Sequence, residues 1–137
     1  MSTSFPDRTR GKGPQLVRFL SRAAVIGLVM IAALVVGTGW IIGAGVHAAS
    51  EAALAERPGD PVPALIAYVE TPTHTLQARD RAVWALGQLG DARALPALEK
   101  HLTGKACEHD RALCQYELRK AIRLCRGSTN MLAFTWR

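Results

Sequence analysis

Three cysteines and four histidines are the residues of this 137-residue chain with the clearest potential for chemistry. Cys107, His109 and Cys114 stand close together, but their Cys-x-His-x4-Cys spacing matches no common zinc-binding pattern, and no fourth ligand is evident. The remaining histidines have no partner at a useful spacing, and no nucleophile is paired with a base. We therefore expect no metal, no cofactor, no small-molecule substrate and no enzymatic activity.

The spacing of the cysteines restricts how they can pair. Cys114 and Cys125 fall on one face of a predicted helix, about 16 Å apart at about 1.5 Å per residue, whereas a disulfide needs Cα atoms within about 7 Å. Cys107 precedes that helix and can fold over its first turns to reach Cys114. We expect a Cys107–Cys114 disulfide, and a Cys107–Cys125 disulfide or three reduced thiols are the alternatives.

The first element of the chain is an apolar segment. Residues 23–46 contain no charged residue and consist mainly of Val, Ile, Leu and Ala. At about 1.5 Å per residue, this segment is longer than the roughly 30 Å hydrocarbon core of a bilayer. It predicts a single transmembrane helix, with a flexible basic arm before it (residues 1–22) and a linker after it (residues 47–60).

The net charge of +6 is concentrated at one end of the chain. Residues 1–22 hold five Lys or Arg and one Asp, whereas acidic and basic residues are nearly balanced after residue 46. The positive-inside rule then places the N-terminus in the cytoplasm, the span in the cytoplasmic (inner) membrane, and the C-terminal domain in the periplasm or outside the cell. Because no aromatic–basic motif accompanies the charge, we expect no nucleic-acid binding.

A cleaved secretory signal is the alternative to a retained anchor. Val46-His47-Ala48 has small residues at the positions that a signal peptidase accepts. However, the apolar part of a signal peptide runs about 7–15 residues, and this segment is much longer. The retained anchor is favoured, and either interpretation exports the domain to a compartment where disulfides form and persist.

Two glycines inside the apolar segment have a spacing that suits helix association. Gly39 and Gly43 form a small-xxx-small pair, which lets two membrane helices approach closely. The alternative is that they reflect the general abundance of glycine in membrane helices.

Residues 79–102 have the pattern of two helices joined by a tight turn. Each predicted helix carries an apolar stripe at helical spacing: Ala82, Ala85, Leu86 and Leu89 in the first, and Leu95, Leu98 and Leu102 in the second. Gly90 suits the left-handed residue that ends a helix, and Asp91 suits the N-cap of the next one. Pro96 lies near the first turn of the second helix, where its missing N–H costs least.

The amino-acid sequence of this hairpin also matches a known pattern. The segments Arg81-Ala82, Ala85-Leu86-Gly87, Leu89-Gly90-Asp91 and Leu95-Pro96-Ala97-Leu98 resemble the short HEAT-like repeat of the phycobilin-lyase (PBS lyase) type. The resemblance implies an α-solenoid of helical hairpins, a fold typical of scaffolds and adaptors. It also implies that Arg81 pairs with Asp91 across the hairpin.

A similarity between two segments of the chain supports a repeat. Gly59-Asp60 and Pro63-Ala64-Leu65 correspond to Gly90-Asp91 and Pro96-Ala97-Leu98, and the two Pro-Ala-Leu units start 33 residues apart. We predict an all-α fold in which the transmembrane helix precedes about four helices, over residues 62–69, 76–89, 92–102 and 108–125. The repeat domain then covers residues 61–126, its last unit is a degenerate cap, and residues 127–137 form a C-terminal tail.

Several side chains are candidates for partner binding. Trp84 and Tyr116 point away from the apolar stripes of their helices, and aromatic residues outside a core are frequent interface anchors. Packing of Trp84 against a neighbouring helix is an equal alternative. Arg119, Lys120 and Arg123 form a basic face that suits an acidic partner or lipid head groups, or is simply solvated.

These observations predict a non-enzymatic interaction or assembly module, a HEAT-like domain tethered to the membrane on its non-cytoplasmic side. Its expected partner is another membrane or envelope protein. The alternative is a permanent accessory subunit of a larger membrane complex, docked through Gly39 and Gly43 of its transmembrane helix.

Overall fold

The computed structural model of the chain describes residues 13–107, 111–128 and 130. This described part is all-helical and contains no strand. Its elements are α1 (Gly13–Glu56), α2 (Pro61–Glu70), α3 (Leu76–Leu89), a 3-10 turn (Ala92–Ala94), α4 (Leu95–Lys100) and α5 (Gln115–Cys125). Of the predicted arm (residues 1–22), residues 1–12 lie outside the described residues, as do His109 and the tail from residue 131, whereas residues 13–22 belong to α1. The chain divides into two compact units, Met1–Gly37 and Thr38–Arg137.

The first unit consists, in its described part, of the N-terminal half of α1. From residue 18 to residue 37 its apolar side chains are exposed all round, including those of Val25, Leu28, Ile31 and Leu34. From Arg18 to Glu56 the helix includes a window with a mean hydropathy of 2.5. By length and composition alone, this helix is a candidate to cross a membrane.

The second unit begins inside α1 and includes residues predicted as a linker. The helix continues without a break to Glu56, and residues 57–60 alone separate it from α2. Ala49 and Ala53 are one helical turn apart and lie in the hydrophobic core, with Leu54 packed beside them. The linker sequence is rich in alanine and glutamate, which are strong helix formers, so the helix continues through it. Its apolar face then packs against the rest of the second unit.

The helix ends of the repeat follow the sequence closely. Gly90 has φ +63° and ends α3 in the left-handed conformation, and its N–H donates to the Leu86 carbonyl. Asp91 caps the following 3-10 turn by accepting from the Arg93 N–H at 2.8 Å. Pro96 lies in the first turn of α4. These features confirm the predicted hairpin.

The similarity between these two segments of the chain also has a structural counterpart. Asp60 caps α2 as Asp91 caps the 3-10 turn, since its carboxylate accepts from the Val62 N–H at 2.9 Å. The Arg93 guanidinium contacts both caps, at 2.6 Å from Asp60 and 2.7 Å from Asp91. Arg93, rather than Arg81, is therefore the partner of Asp91, and this expectation from the resemblance is wrong. The reason is that Arg93 lies in the 3-10 turn, next to both cap carboxylates.

Helix α3 is the centre of the domain. It packs against α2 on one side and α5 on the other, and the buried side chains of Val83 and Leu86 lie in the shared core. At Gly87 the backbone of α3 lies close to α5, because a β-carbon there would lie 2.7 Å from the Ala121 Cα. Helix α3 is therefore buried on several faces, and its buried surface is wider than the predicted apolar stripe.

The last two helices are shorter than predicted. Helix α4 ends at Lys100, and Leu102 is 38% exposed instead of lying in the core. Helix α5 begins at Gln115, after Cys114 as its N-cap residue. Asp80 of α3 accepts a hydrogen bond from the Cys114 N–H at 2.8 Å, which fixes this start. The buried face of α5 matches the prediction, with Leu118, Ala121, Ile122 and Cys125 in the core.

Candidate functional site

The side chain of Trp84 lies over the C-terminal part of α1. Its indole is half-buried and packs against the hydrophobic core. A β-carbon at Gly45 would lie 3.0 Å from Cη2 and 3.2 Å from Cζ3 of the indole. The bare backbone at Gly45 therefore provides the space that the ring occupies. One portion of Trp84 packs on a helix, as the packing alternative expects, and the rest remains accessible. Its role in partner binding stays a prediction.

The accessible portion of Trp84 lines an open groove of about 540 Å³, which we call the Trp84 groove. It is formed entirely within the second unit, by α1, α3 and α5. Its lining residues are Ile41, Ile42, Gly45, Ala48, Arg81, Trp84 and Glu117. The floor is thus apolar, and its size is in the range of sites that receive a ligand or a side chain of a partner.

Two opposite charges border the Trp84 groove. Arg81 lies one turn before Trp84 on α3 and is exposed, and Glu117 projects from the first turn of α5 and is half-buried. Arg81 and Glu117 form no ion pair with each other. An apolar floor with a polar rim is the usual composition of a protein-docking surface.

The other predicted partner-binding residues lie elsewhere on α5. Tyr116 is 58% exposed and does not line the Trp84 groove. Arg119 and Arg123 line a second groove of about 390 Å³ together with Leu102, Ile122, Arg126 and Ser128, and Lys120 does not line it. One of its cations is engaged, because Arg126 binds Glu99 at 2.7 Å. The predicted binding surface is therefore divided into separate patches.

Gly39 and Gly43 lie on α1 in the second unit. Both are buried, unlike Gly37, which has no atom within 4 Å of a β-carbon built on it. The two glycines therefore present less free surface to a second membrane helix than their spacing suggests. Their role in helix association stays a prediction.

The structure brings together two of the three cysteines. The sulfurs of Cys107 and Cys114 are 2.9 Å apart, compared with about 2.05 Å in a disulfide bond. They are adjacent thiols without a bond, so the predicted disulfide stays a prediction. Cys125 is buried on α5, where its thiol donates to the Leu86 carbonyl at 3.5 Å.

The environments of the three thiols differ. Hydrogen bonds to the Cys107 sulfur, from the Cys114 thiol and then from the Tyr116 N–H, lower the pKa of Cys107. Burial, followed by the interaction with Cys107, raises the pKa of Cys114. Burial raises the pKa of Cys125 to about 11. Cys107 is thus the most acidic thiol, and it is also more accessible than the other two.

Several residues that support the site were not recognised from sequence as structural. Arg79 and Asp80 have the pattern of exposed helix charges, yet Arg79 donates to the Val69 carbonyl at 2.7 Å and Asp80 holds the start of α5. Gln115 is buried and joins the α4–α5 loop to α5 by accepting from the Thr103 N–H at 2.8 Å. The sequence contains no periodic signal for such contacts, because each partner comes from another element.

The described residues form an all-helical domain that contains a tight helical hairpin. Residues 78–104, which cover most of α3 and all of α4, match the family model described as PBS lyase HEAT-like repeat. The match supports a HEAT-like repeat, and such a repeat suggests a protein-interaction or scaffold module. No curated protein and no solved structure matches the chain.

Proposed function

We propose that this chain is a membrane-tethered interaction module, in which α1 is the anchor and the Trp84 groove is the docking site. The proposed occupant is the juxtamembrane segment of another membrane protein. The single observation that carries the proposal is the half-buried Trp84 in an apolar groove of a HEAT-like repeat domain. Tryptophan is enriched among the residues that dominate binding energy at protein interfaces.

The composition of the groove favours a partner that leaves the bilayer beside α1. Ile41 and Ile42, which line the groove, are also part of the uncharged segment over residues 23–46. An apolar segment that emerges from the membrane next to this helix meets the groove first. Arg81 and Glu117 at the rim suit charged side chains that follow such a segment.

The position of the groove also favours a retained anchor over a cleaved signal. Cleavage after Ala48 would remove Ile41, Ile42 and Gly45, and with them the surface on which Trp84 packs. Val46 and Ala53, on either side of that position, are 3% and 1% exposed. The proposed module therefore keeps α1, and the charge asymmetry of the flanks favours a helical domain outside the cytoplasm.

The docking site is tested by purifying the full-length chain from membranes in a mild detergent and quantifying co-purified proteins by mass spectrometry. The test variant is Trp84→Ala, and the matched control is Leu102→Ala, which shortens an exposed apolar side chain of the second groove. We expect one membrane protein to be depleted about tenfold or more by Trp84→Ala and retained by Leu102→Ala. Equal recovery with both variants would overturn the proposal, provided that circular dichroism shows both to be folded.

A companion variant separates this proposal from permanent docking through the transmembrane helix. Replacing Gly39 and Gly43 with leucine disrupts a glycine-mediated helix contact. An accessory subunit held by its span would be lost from its complex, whereas a module that binds through the Trp84 groove would keep its partner.

The location of the domain is tested by fusing alkaline phosphatase to its C-terminus. Enzyme activity is expected for a domain outside the cytoplasm, and inactivity contradicts the assigned orientation.

A further inference from the structure

The cysteine pair next to α5 has an asymmetric arrangement. Cys107 is partly accessible, whereas Cys114 is 7% exposed, and their sulfurs are 2.9 Å apart. Cys114 is the N-cap residue of α5, and its N–H donates to Asp80. One sulfur can therefore meet an external molecule, and the other is held directly behind it.

The backbone of α5 supports negative charge on the accessible sulfur. The Tyr116 N–H, in the first turn of this eleven-residue helix, donates to the Cys107 sulfur at 3.2 Å. Free N–H groups at a helix N-terminus stabilise a thiolate, and the thiolate is the nucleophile in disulfide exchange. Arg119, one turn further along α5, adds a smaller favourable charge that also lowers the pKa of Cys107.

We propose that Cys107 and Cys114 form a thiol–disulfide exchange site in which Cys107 is the attacking sulfur and Cys114 the resolving sulfur. The proposed substrate class is an accessible disulfide of a small thiol or of a protein. This inference goes beyond the proposed interaction function and does not depend on the Trp84 groove.

The exchange proceeds in two balanced steps. The Cys107 thiolate attacks one sulfur of the external disulfide, forms a mixed disulfide with it and releases the other sulfur as a thiolate. Cys114 then loses its proton to solvent and attacks the Cys107 sulfur, so that the second external thiolate leaves. The external disulfide accepts two electrons and becomes two thiols, and the cysteine pair is oxidised to the Cys107–Cys114 disulfide. The reverse sequence reduces the pair.

The position of the third cysteine makes it an internal control. Cys125 is 4% exposed, and its thiol is directed to a carbonyl of α3. It has neither an adjacent thiol within bonding range nor a helix N-terminus to stabilise its thiolate. It is therefore expected to remain reduced while the pair is oxidised.

The experiment uses the full-length chain in detergent micelles, reduced and then exposed to oxidised glutathione. Products are quenched by alkylation and identified by intact and peptide mass spectrometry. Wild type and Cys125→Ser are expected to lose two hydrogen atoms and form the Cys107–Cys114 disulfide. Cys114→Ser is expected to accumulate a glutathione adduct at Cys107. The rate of this reaction should be at least about ten times the rate at which Cys107→Ser forms an adduct at Cys114.

Three results would overturn the assignment. They are the absence of a Cys107–Cys114 disulfide in wild type, an adduct that forms mainly at Cys125, and equal adduct rates in Cys107→Ser and Cys114→Ser. Each single variant replaces one cysteine sulfur with a serine oxygen, and circular dichroism verifies that each is folded. A second readout is the pH profile of alkylation at Cys107 in Cys114→Ser, whose midpoint is expected below that of a free cysteine, about 8.5.

Discussion

The indole of Trp84 lies directly on the backbone of Gly45, with 3.0 Å between Cη2 and the place where a β-carbon of residue 45 would stand. This contact joins the helical domain to the last apolar turns of α1. It also determines how much of the Trp84 ring remains available in the groove. The identity of residue 45 should therefore control the binding surface as well as local packing.

Replacing Gly45 with valine is expected to displace the Trp84 ring and to reduce partner recovery. Overpacking of this kind typically costs about 1–3 kcal/mol, part of which is offset by the better helix propensity of valine. Displacement is measured by tryptophan fluorescence in a variant that keeps Trp84 and has phenylalanine at Trp40 and Trp136. The matched control is Gly37→Val, where a β-carbon meets no atom within 4 Å. Unchanged fluorescence in Gly45→Val would contradict the contact.

Gly87→Ala is expected to destabilise the domain although alanine is the better helix former. The new β-carbon would lie 2.7 Å from Cα and 2.9 Å from Cβ of Ala121, so that α3 and α5 must separate. We expect a net loss of about 1–3 kcal/mol, measured by thermal or urea unfolding of the full chain in detergent. Gly37→Ala is the control, with no expected loss. A stabilised Gly87→Ala variant would show that the two helices are not in this close contact.

Asp80→Ala is expected to loosen the start of α5. The substitution leaves the Cys114 N–H without its acceptor in a partly buried position, which typically costs about 1–3 kcal/mol. Asp80→Asn keeps an acceptor oxygen and should lose less. Hydrogen exchange at the Cys114 amide reports the effect locally. Equal protection of this amide in wild type and Asp80→Ala would contradict the role of Asp80 as its acceptor.

The contact of Arg93 with two cap carboxylates predicts a pH-dependent contribution to stability. The hydrogen bonds from Arg93 lower the pKa of Asp60 and of Asp91 below the ordinary value of about 3.9. A carboxylate with a lowered folded-state pKa stabilises the fold above its unfolded pKa, and this stabilisation is lost as the pH falls through the folded-state value. The stability difference between wild type and Arg93→Ala should therefore be present near pH 7 and shrink below about pH 4. All three side chains are substantially exposed, so a small difference is expected. A difference that is independent of pH would contradict this contact.

The parts of the fold that could be predicted from sequence are those determined by local chemistry. The turn at Gly90-Asp91 and the buried face of α5 follow from caps and helical spacing, which involve residues close in the chain. The extension of α1 and the early end of α4 depend on packing between elements, which a local pattern does not contain. The partner of Asp91 is also local, since Arg93 is two residues further along the chain, but the expectation of Arg81 rests on the family resemblance and not on the local pattern.

The candidate site was predictable only in part. Trp84 was recognisable because its position opposes the apolar stripe of α3. Gly45 is one of several glycines in an apolar helix, and its sequence context does not indicate which side chain approaches it. Ile41 and Ile42 have the pattern of ordinary membrane residues, and Glu117 that of a surface charge. Their common position in the Trp84 groove arises only when α1, α3 and α5 are packed together.

Photo-crosslinking from the Trp84 groove is the most direct test of the central claim. A photoreactive amino acid is placed at Ala48, an exposed lining residue, and at Ala92, an exposed control on the 3-10 turn. After irradiation of intact membranes, we predict a discrete adduct with one membrane protein from position 48, its loss in Trp84→Ala, and no such adduct from position 92. The absence of an adduct from position 48, or an adduct that persists undiminished in Trp84→Ala, would contradict the assignment of this groove as the docking site.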